Sequence, residues 1–133
     1  MHVVLSGSMR FIERMREVGS DLAARGHTVS LPAPTPAGVD PLRLDGETLV
    51  ALKADFVADH LRAIRAADAV LVVNVDAPEA RGHVGASALV ELAFAVALEK
   101  RAYVLHTVGE QPNRLEVLAL RPTVLAGDID ALA

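Results

Sequence analysis

The segment Ala69–Val75 constrains the fold of this chain more than any other, because six of its seven residues are apolar. A strand of this composition is covered on both faces, as in a parallel sheet. Parallel neighbours are joined by crossover connections that usually contain a helix. The segment therefore predicts an α/β protein with helices between its strands.

The rest of the chain supplies the expected alternation. Short apolar segments predict four further strands, at 2–6, 28–31, 102–106 and 122–125. Helical spacing of apolar residues predicts four helices, at 10–25, 47–67, 87–100 and 112–119, and a terminal turn is expected at 128–133. This order predicts a flavodoxin-like three-layer α/β sandwich with a five-stranded parallel sheet in the order 2-1-3-4-5. The length of 133 residues predicts one domain over 1–133, with its ligand at the carboxyl ends of strands 1 and 3.

A proline-rich loop follows the second predicted strand. Pro32, Pro34 and Pro36 alternate with other residues, which excludes a helix or a central strand. The resulting loop of about 14 residues has a length typical of functional or mobile segments.

Composition excludes several classes of function. The chain has no cysteine, which excludes a disulfide scaffold, a thiolate metal centre and a cysteine nucleophile. A net charge of −4 and only four Phe and Tyr residues argue against a nucleic-acid partner. No apolar run approaches the roughly 20 residues that span a bilayer. No targeting segment is evident at the start, so no membrane partner and a cytoplasmic location are expected.

The first candidate ligand site follows strand 1, in the sequence Ser6-Gly7-Ser8-Met9-Arg10. Gly7 permits a tight turn, and Ser8 can cap the next helix, whose free N–H groups favour an anion. The Arg10 guanidinium can bind a carboxylate or a phosphate. The competing interpretation is that Ser8 is only a cap and Arg10 is only solvated.

The second candidate site combines Gly85, Ser87 and Glu91. Glu91 lies in an apolar helix, where a carboxylate is costly unless it is paired, protonated or functional. A capping-box role would need Ser or Thr at position 88, which is Ala, although stabilisation by the helix dipole stays open. Ser87 lies four residues before Glu91, on the same helix face.

The histidines do not predict a metal site, since no two of the five share metal-ligand spacing. Asp59 and His60 lie within the second predicted helix. Neighbouring helix residues face different ways, so at most one of them is expected to point into the cleft.

Three segments together resemble the nucleoside 2-deoxyribosyltransferase superfamily, which includes the 2′-deoxynucleoside 5′-monophosphate N-glycosidases. Val3–Arg10 (VVLSGSMR) is similar to the family's "CGSIRG" segment, and Ile64–Asn74 (IRAADAVLVVN) is similar to its "I-x-x-A-D-x-V-V" strand. Gly82–Ala95 (GHVGASALVELAFA), followed by Lys100, is similar to its glycine loop and "E-(L/I)-(G/A)-x-A" helix. The resemblance is nearest to uncharacterised members with "G-(Y/H)-(I/V)-G" before the helix.

The resemblance implies roles for individual residues. Glu91 matches the nucleophile that attacks the anomeric carbon and forms a glycosyl ester. Ser8 and Arg10 match residues that hold substrate, and Gly85 and Ser87 lie where the sugar or phosphate is positioned. Two positions depart from the family: Val4 replaces a tyrosine that holds the glutamate, and His60 replaces an aspartate that assists the leaving base. Histidine can donate a proton near pH 7, so His60 is the expected acid.

The resulting expectation is an enzyme, an N-glycosidase or deoxyribosyltransferase acting on a nucleoside or nucleotide without a cofactor. The alternative is a non-catalytic nucleotide- or sugar-binding module on the same fold, which the two departures favour. A homodimer or larger assembly is also expected, because helices 2 and 3 carry more apolar residues than one sheet face needs. The resemblance implies that the active site lies near the dimer interface.

Overall fold

A computed structural model describes residues 1–34 and 36–132. Five strands form one sheet: β1 (His2–Ser6), β2 (Thr28–Ser30), β3 (Ala69–Val72), β4 (Arg101–Val104) and β5 (Thr123–Val124). Four α-helices separate them: α1 (Ile12–Ala24), α2 (Gly46–Ala66), α3 (Ala86–Ala97) and α4 (Arg114–Ala119). Short 3-10 turns occur at Met9–Phe11, Pro41–Arg43 and Ile129–Ala131.

The sheet has the predicted topology. Its order is β2-β1-β3-β4-β5, and every neighbouring pair is parallel. Val4 lies opposite Val70, and Leu5 lies opposite Leu71. The flavodoxin-like α/β fold expected from the sequence is therefore confirmed.

The central strands β1 and β3 are buried on both faces, and their alternate residues pack against different helix layers. Val3 and Leu5 pack with Met15, Val18 and Leu22 of α1 on one face. The other face is covered by α2, α3 and α4, through buried residues that include Val4, Val70, Val72, Ile64, Leu92, Ala95 and Val117. Because both faces are covered, the strands carry few polar side chains, as the Ala69–Val75 segment indicated.

Several element boundaries differ from the sequence predictions. β3 ends at Val72 rather than at residue 75. Beyond that point the buried side chain of Asn74, instead of the strand backbone, forms hydrogen bonds with the chain that follows β4. Its amide donates to the His106 carbonyl at 2.7 Å and accepts from the His106 N–H at 2.9 Å. α3 ends at Ala97, and Glu99 beyond it has a positive φ of 58°. Helix 1 opens with a 3-10 turn, so α1 starts at Ile12.

Two predicted segments include residues outside the described part of the chain. The proline-rich loop contains Thr35, and the terminal turn extends to Ala133; neither residue is described. Within the described residues, α2 is capped by Asp45, whose carboxylate accepts from the Thr48 N–H at 2.8 Å. No helix among the described residues is long and apolar enough to cross a membrane.

Candidate active site

A cavity of about 390 Å³ lies between α2 and α3, next to the segments that follow β1, β2 and β3. The expected position at strands 1 and 3 is therefore extended by Leu31, Pro32 and Ala33, which follow β2 and also line the cavity. This volume falls within the range of roughly 300–1,000 Å³ that is typical of small-molecule sites. Six predicted site residues line the cavity: Gly7, Ser8, His60, Gly85, Ser87 and Glu91. The three chain segments that supply them are the loop after β1, the middle of α2 and the first two turns of α3.

The Glu91 carboxylate is held by two side chains from different elements. Its side chain is 15% exposed and lines the cavity. One carboxylate oxygen, Oε2, accepts a hydrogen bond from the hydroxyl of Ser6, the fully buried last residue of β1. The other oxygen, Oε1, lies 3.4 Å from Nδ1 of His60. The carboxylate therefore has a fixed position between the sheet and α2.

Burial raises the pKa of the Glu91 carboxyl above its usual value, while the positive charge of His60, the Ser6 hydroxyl and the charge of Lys53 oppose this increase. Desolvation disfavours the ionised form, and a nearby cation or hydrogen-bond donor favours it. A carboxylate that is ionised but poorly solvated is more basic than one in water, which suits it to act as a nucleophile or a base.

His60 lies against Glu91 in the wall of the cavity. Its side chain is only 9% exposed, and Nδ1 is the nitrogen that faces the glutamate. The other nitrogen, Nε2, is buried and has no hydrogen-bond partner within the described part of the chain. A buried ring nitrogen without a partner is costly, and such groups in native structures call for an explanation such as a functional role.

The start of α3 forms another side of the cavity. Gly85 is the N-cap residue and provides no side-chain acceptor for the first N–H groups of the helix. The hydroxyl of Ser87 accepts a hydrogen bond of 2.6 Å from Nζ of Lys53 on α2. Ser8 lines the cavity from the loop after β1 and caps the 3-10 turn there, accepting from the Arg10 N–H at 3.4 Å.

Arg10 is the one predicted site residue outside both the cavity lining and the Glu91 contacts. Its guanidinium instead makes a bidentate contact with the Glu79 carboxylate, at 2.9 and 2.7 Å. The hydrogen bond from Arg10 lowers the pKa of Glu79 to about 2. Oε2 of Glu79 also lies 3.7 Å from Nε2 of His83, so one carboxylate joins the loops that follow β1 and β3.

Several cavity residues escaped the sequence prediction. Lys53, Phe56 and His83 line the cavity, as does Asp59 beside His60. Asp59 and His60 both border the cavity, but His60 faces Glu91, whereas the Asp59 carboxylate pairs with Arg62 on the same helix. Successive helix residues point about 100° apart, so two neighbours can flank one concave surface. The presence of Lys53 could have been suspected from its spacing of seven residues before His60, which places both on one face of α2.

The described side chains can support acid, base and nucleophilic chemistry. The Glu91 carboxylate contacts the Ser6 hydroxyl and the His60 imidazole. One helical turn before Glu91, Ser87 contacts the ammonium group of Lys53. Among residues 1–34 and 36–132, no group of three or more His, Asp or Glu side chains is arranged to hold a metal ion.

Comparison with known proteins relates this fold to nucleoside-processing enzymes. The CMP N-glycosidase BcmB of Clostridium botulinum is 16% identical, with a TM-score of 0.52 over 93% of this chain and 85% of that one. A 2-deoxyribosyltransferase of Bacillus psychrosaccharolyticus is 17% identical, with a TM-score of 0.56 over 87% of this chain and 80% of that one. No protein-family model and no curated protein sequence matches the chain.

At these identities the likeness is one of fold. The fold that the sequence resemblance implied is therefore confirmed. The chain has the flavodoxin-like fold that is shared by an N-glycosidase and a 2-deoxyribosyltransferase.

Proposed function

We propose that this protein cleaves the N-glycosidic bond of a nucleoside or nucleoside 5′-monophosphate, as an N-glycosidase or a deoxyribosyltransferase, with Glu91 as the nucleophile. The observation that carries the proposal is the Glu91 carboxylate, which lines the cavity and is held by Ser6 and His60. The motif resemblance assigns the nucleophile to the same residue, and the fold is that of enzymes of this kind.

In the first step, a Glu91 oxygen forms a bond to the anomeric carbon of the sugar. The bond from that carbon to the base nitrogen breaks, and its electron pair leaves with the base. The product is a glycosyl ester of Glu91, and the base must gain a proton to depart as a neutral molecule. Ser6 and His60 favour this attack by holding the carboxylate in one orientation.

His60 is the proposed source of that proton. Its Nδ1 lies 3.4 Å from Glu91 Oε1, so the imidazole stands beside the carboxylate that attacks the sugar. Imidazole can give and accept a proton near neutral pH, which suits it to act as the general acid for the departing base. His60 therefore replaces, with a different acid, the aspartate that the resemblance places at this position.

In the second step, water or a second base attacks the anomeric carbon and releases Glu91. The neutral His60 then accepts a proton from the attacking molecule, which restores the starting state. Attack by water completes a hydrolysis, whereas attack by a base completes a transfer.

The remaining walls fit the parts of a nucleoside. Val4, Met9 and Phe56 provide apolar surface, which suits the faces of a sugar or a base. Gly7 and Gly85 bring backbone close to the cavity, where N–H groups can contact substrate oxygens. Ser8 supplies a hydroxyl on the same side.

Release of free base from a panel of ribo- and deoxyribonucleosides and their 5′-monophosphates tests the proposal. Glu91→Gln retains the side-chain shape but cannot form the ester, and we expect it to abolish release while substrate still binds. Glu116→Gln, an exposed residue of α4, is the matched control and should retain full activity. Denaturation during turnover should trap the sugar on wild-type protein, with a mass increase that the Glu91→Gln variant lacks.

Wild-type turnover by Glu91→Gln would overturn covalent catalysis at this residue. If both proteins bind a nucleoside or nucleotide and neither releases base, the chain is instead a nucleotide- or sugar-binding module on the same fold.

We also propose that the protein is a homodimer or a larger assembly. Four apolar side chains of α2 and α3 are more than a third exposed: Leu49, Val50, Val90 and Val96. A second copy of the chain would remove these side chains from water, and a stable interface would bury at least about 1,000 Å². Light scattering should give the mass of a dimer or more, and Val50→Glu should lower it. A monomeric wild-type protein at micromolar concentration would contradict this proposal.

A further inference from the structure

We infer that Lys53, and not Arg10, binds the 5′-phosphate of the substrate, so that the substrate is a nucleoside 5′-monophosphate. This inference rests on the proposed function and assigns a residue that neither the motifs nor the resemblance identified. It depends on the surroundings of the two cations and on the spacing between Ser87 and Glu91.

Lys53 is a cation that lines the cavity and has no acidic partner. Its Nζ donates to the neutral hydroxyl of Ser87 at 2.6 Å. Among the described residues, no carboxylate lies within the 4.0 Å that defines an ion pair with it. The ammonium keeps two further donors, and an anion bound beside it would displace no existing ion pair.

The start of α3 adds donors at the same place. Ser87 is the second residue of α3, and the N-cap Gly85 offers no side-chain acceptor. The first N–H groups of a helix have no acceptor within the helix, and the helix dipole places partial positive charge there. A phosphate oxygen beside Ser87 would therefore meet the lysine, the hydroxyl and the start of the helix together.

The Lys53–Ser87 pair and Glu91 lie along one face of α3, a separation that a sugar phosphate could span. Ser87 and Glu91 are four residues apart in α3, so they lie on one face with their Cβ atoms about 6 Å apart. A ribose ring with its 5′ carbon bridges a comparable distance between the anomeric carbon and the phosphorus. A sugar with its anomeric carbon at Glu91 can thus place its 5′ group at Ser87 and Lys53.

Arg10 is unsuited to the same task in this chain. Both of its terminal nitrogens are engaged by Glu79, and its side chain is outside the residues that line the cavity. The Glu79 carboxylate already offsets the charge of Arg10, so a phosphate bound there would lie beside a second anion.

Binding of ribose 5-phosphate, 2-deoxyribose 5-phosphate and inorganic phosphate, measured by calorimetry, tests this assignment without any turnover. We expect Lys53→Met to weaken binding of the sugar phosphates by about 10- to 100-fold, the value of one charged hydrogen bond. Lys53→Arg should retain most of the affinity, and Lys100→Met, outside the cavity lining, should retain all of it. Arg10→Gln should bind the sugar phosphates as the wild type does.

Kinetics separate this inference from the proposed function. The wild type should release base from monophosphates with a lower KM than from the matching nucleosides, and Lys53→Met should raise KM for the monophosphate alone. Equal use of nucleosides and monophosphates, or loss of sugar-phosphate affinity in Arg10→Gln with none in Lys53→Met, would overturn the inference and leave the proposed reaction standing. Sugar-phosphate binding that depends on Lys53, without base release from any compound, would overturn the reaction and leave the phosphate site.

Discussion

Replacement of His60 by glutamine should raise the pKa of Glu91 and thereby move the pH dependence of the reaction. Nδ1 of His60 lies 3.4 Å from Glu91 Oε1, and the histidine charge is the largest of the influences that favour the ionised carboxylate. At this separation two unit charges interact by on the order of 4–5 kcal/mol with an effective dielectric constant of about 20, and by about 1 kcal/mol in bulk water. An opposite charge at such a distance lowers a carboxyl pKa by roughly one to three units.

The direction of the change follows from the role of each form. Glu91 must be ionised to attack, so activity falls as the pH drops through its pKa, and the acid limb of kcat/KM reports that pKa in the free enzyme. Loss of the imidazolium leaves burial to raise the pKa against the Ser6 hydroxyl and Lys53 alone. The acid limb should therefore move to higher pH by about one to three pH units. The rate at the optimum should also fall by about 10²- to 10⁴-fold, because the proton donor is lost.

The Glu91 carboxyl can also be titrated directly, by NMR of protein with ¹³C-labelled glutamate, and its signal is identified by its disappearance in Glu91→Gln. His27→Gln is the matched control, since His27 lies before β2 and contacts the chain's amino group at 3.1 Å instead of the cavity. It should leave both the titration and the kinetic limb unchanged. If the pKa of Glu91 is unchanged or lower in His60→Gln, the charge of His60 is not what lowers this pKa in the wild type.

Three further outcomes test the electrostatics and the loop geometry. Burial raises the pKa of Glu91 in the folded state, so the stability that its protonated form contributes is present below the unfolded-state pKa and is lost as the pH rises through the folded-state pKa. At pH 8 the free energy of unfolding of Glu91→Gln, measured in urea, should therefore exceed that of the wild type by about 1.4 kcal/mol per unit of pKa elevation. At pH 4 the two free energies should be nearly equal. Arg10→Gln should return the pKa of Glu79 from about 2 toward the usual value of roughly 4.3, which NMR titration would show, and an unchanged value would contradict the hydrogen bond as its cause. Gly82→Ala should lower the free energy of unfolding in urea by more than Gly26→Ala does. Both glycines have a positive φ, which costs alanine about 1–2 kcal/mol, but a Cβ at Gly82 would lie 2.1 Å from the Thr107 carbonyl oxygen, whereas a Cβ at Gly26 would have nothing within 4 Å. Equal losses in the two variants would contradict this reasoning.

The architecture was predictable because its determinants are local and repeated. Short apolar segments identified the five strands, and apolar residues at helical spacing identified the four helices between them. Their alternation along the chain predicted the strand order. The boundaries were less predictable, because they depend on single side chains that act across strands. Asn74 illustrates this: its amide pairs with His106, 32 residues away, and only the folded chain brings the two together.

The parts of the candidate site that could be predicted were those where a polar or charged residue interrupts an apolar segment. Glu91 stood out as a carboxylate in an apolar helix, and the loops after β1 and β3 follow from the topology. The partners of these groups were not predictable, since they come from distant segments. Arg10 meets Glu79 across 69 residues of sequence, and Ser6 meets Glu91 across 85. Lys53 was missed because a lysine on an exposed helix is unremarkable until the helix is known to border a cavity.

The resemblance places an aspartate where this chain has His60, and that difference would change the charge beside Glu91. An aspartate this close to Glu91 would add a second negative charge to a carboxyl that burial already makes hard to ionise, and like charges raise such a pKa further. His60 and Lys53 act in the opposite sense, because the positive charge of each lowers the pKa of Glu91. A phosphate bound at Lys53 would offset the charge of that lysine and leave His60 as the principal counter-charge of Glu91. Occupation of the proposed phosphate site should therefore raise the pKa of Glu91, which makes the ionised carboxylate more basic but lowers the fraction of it that is ionised at a given pH.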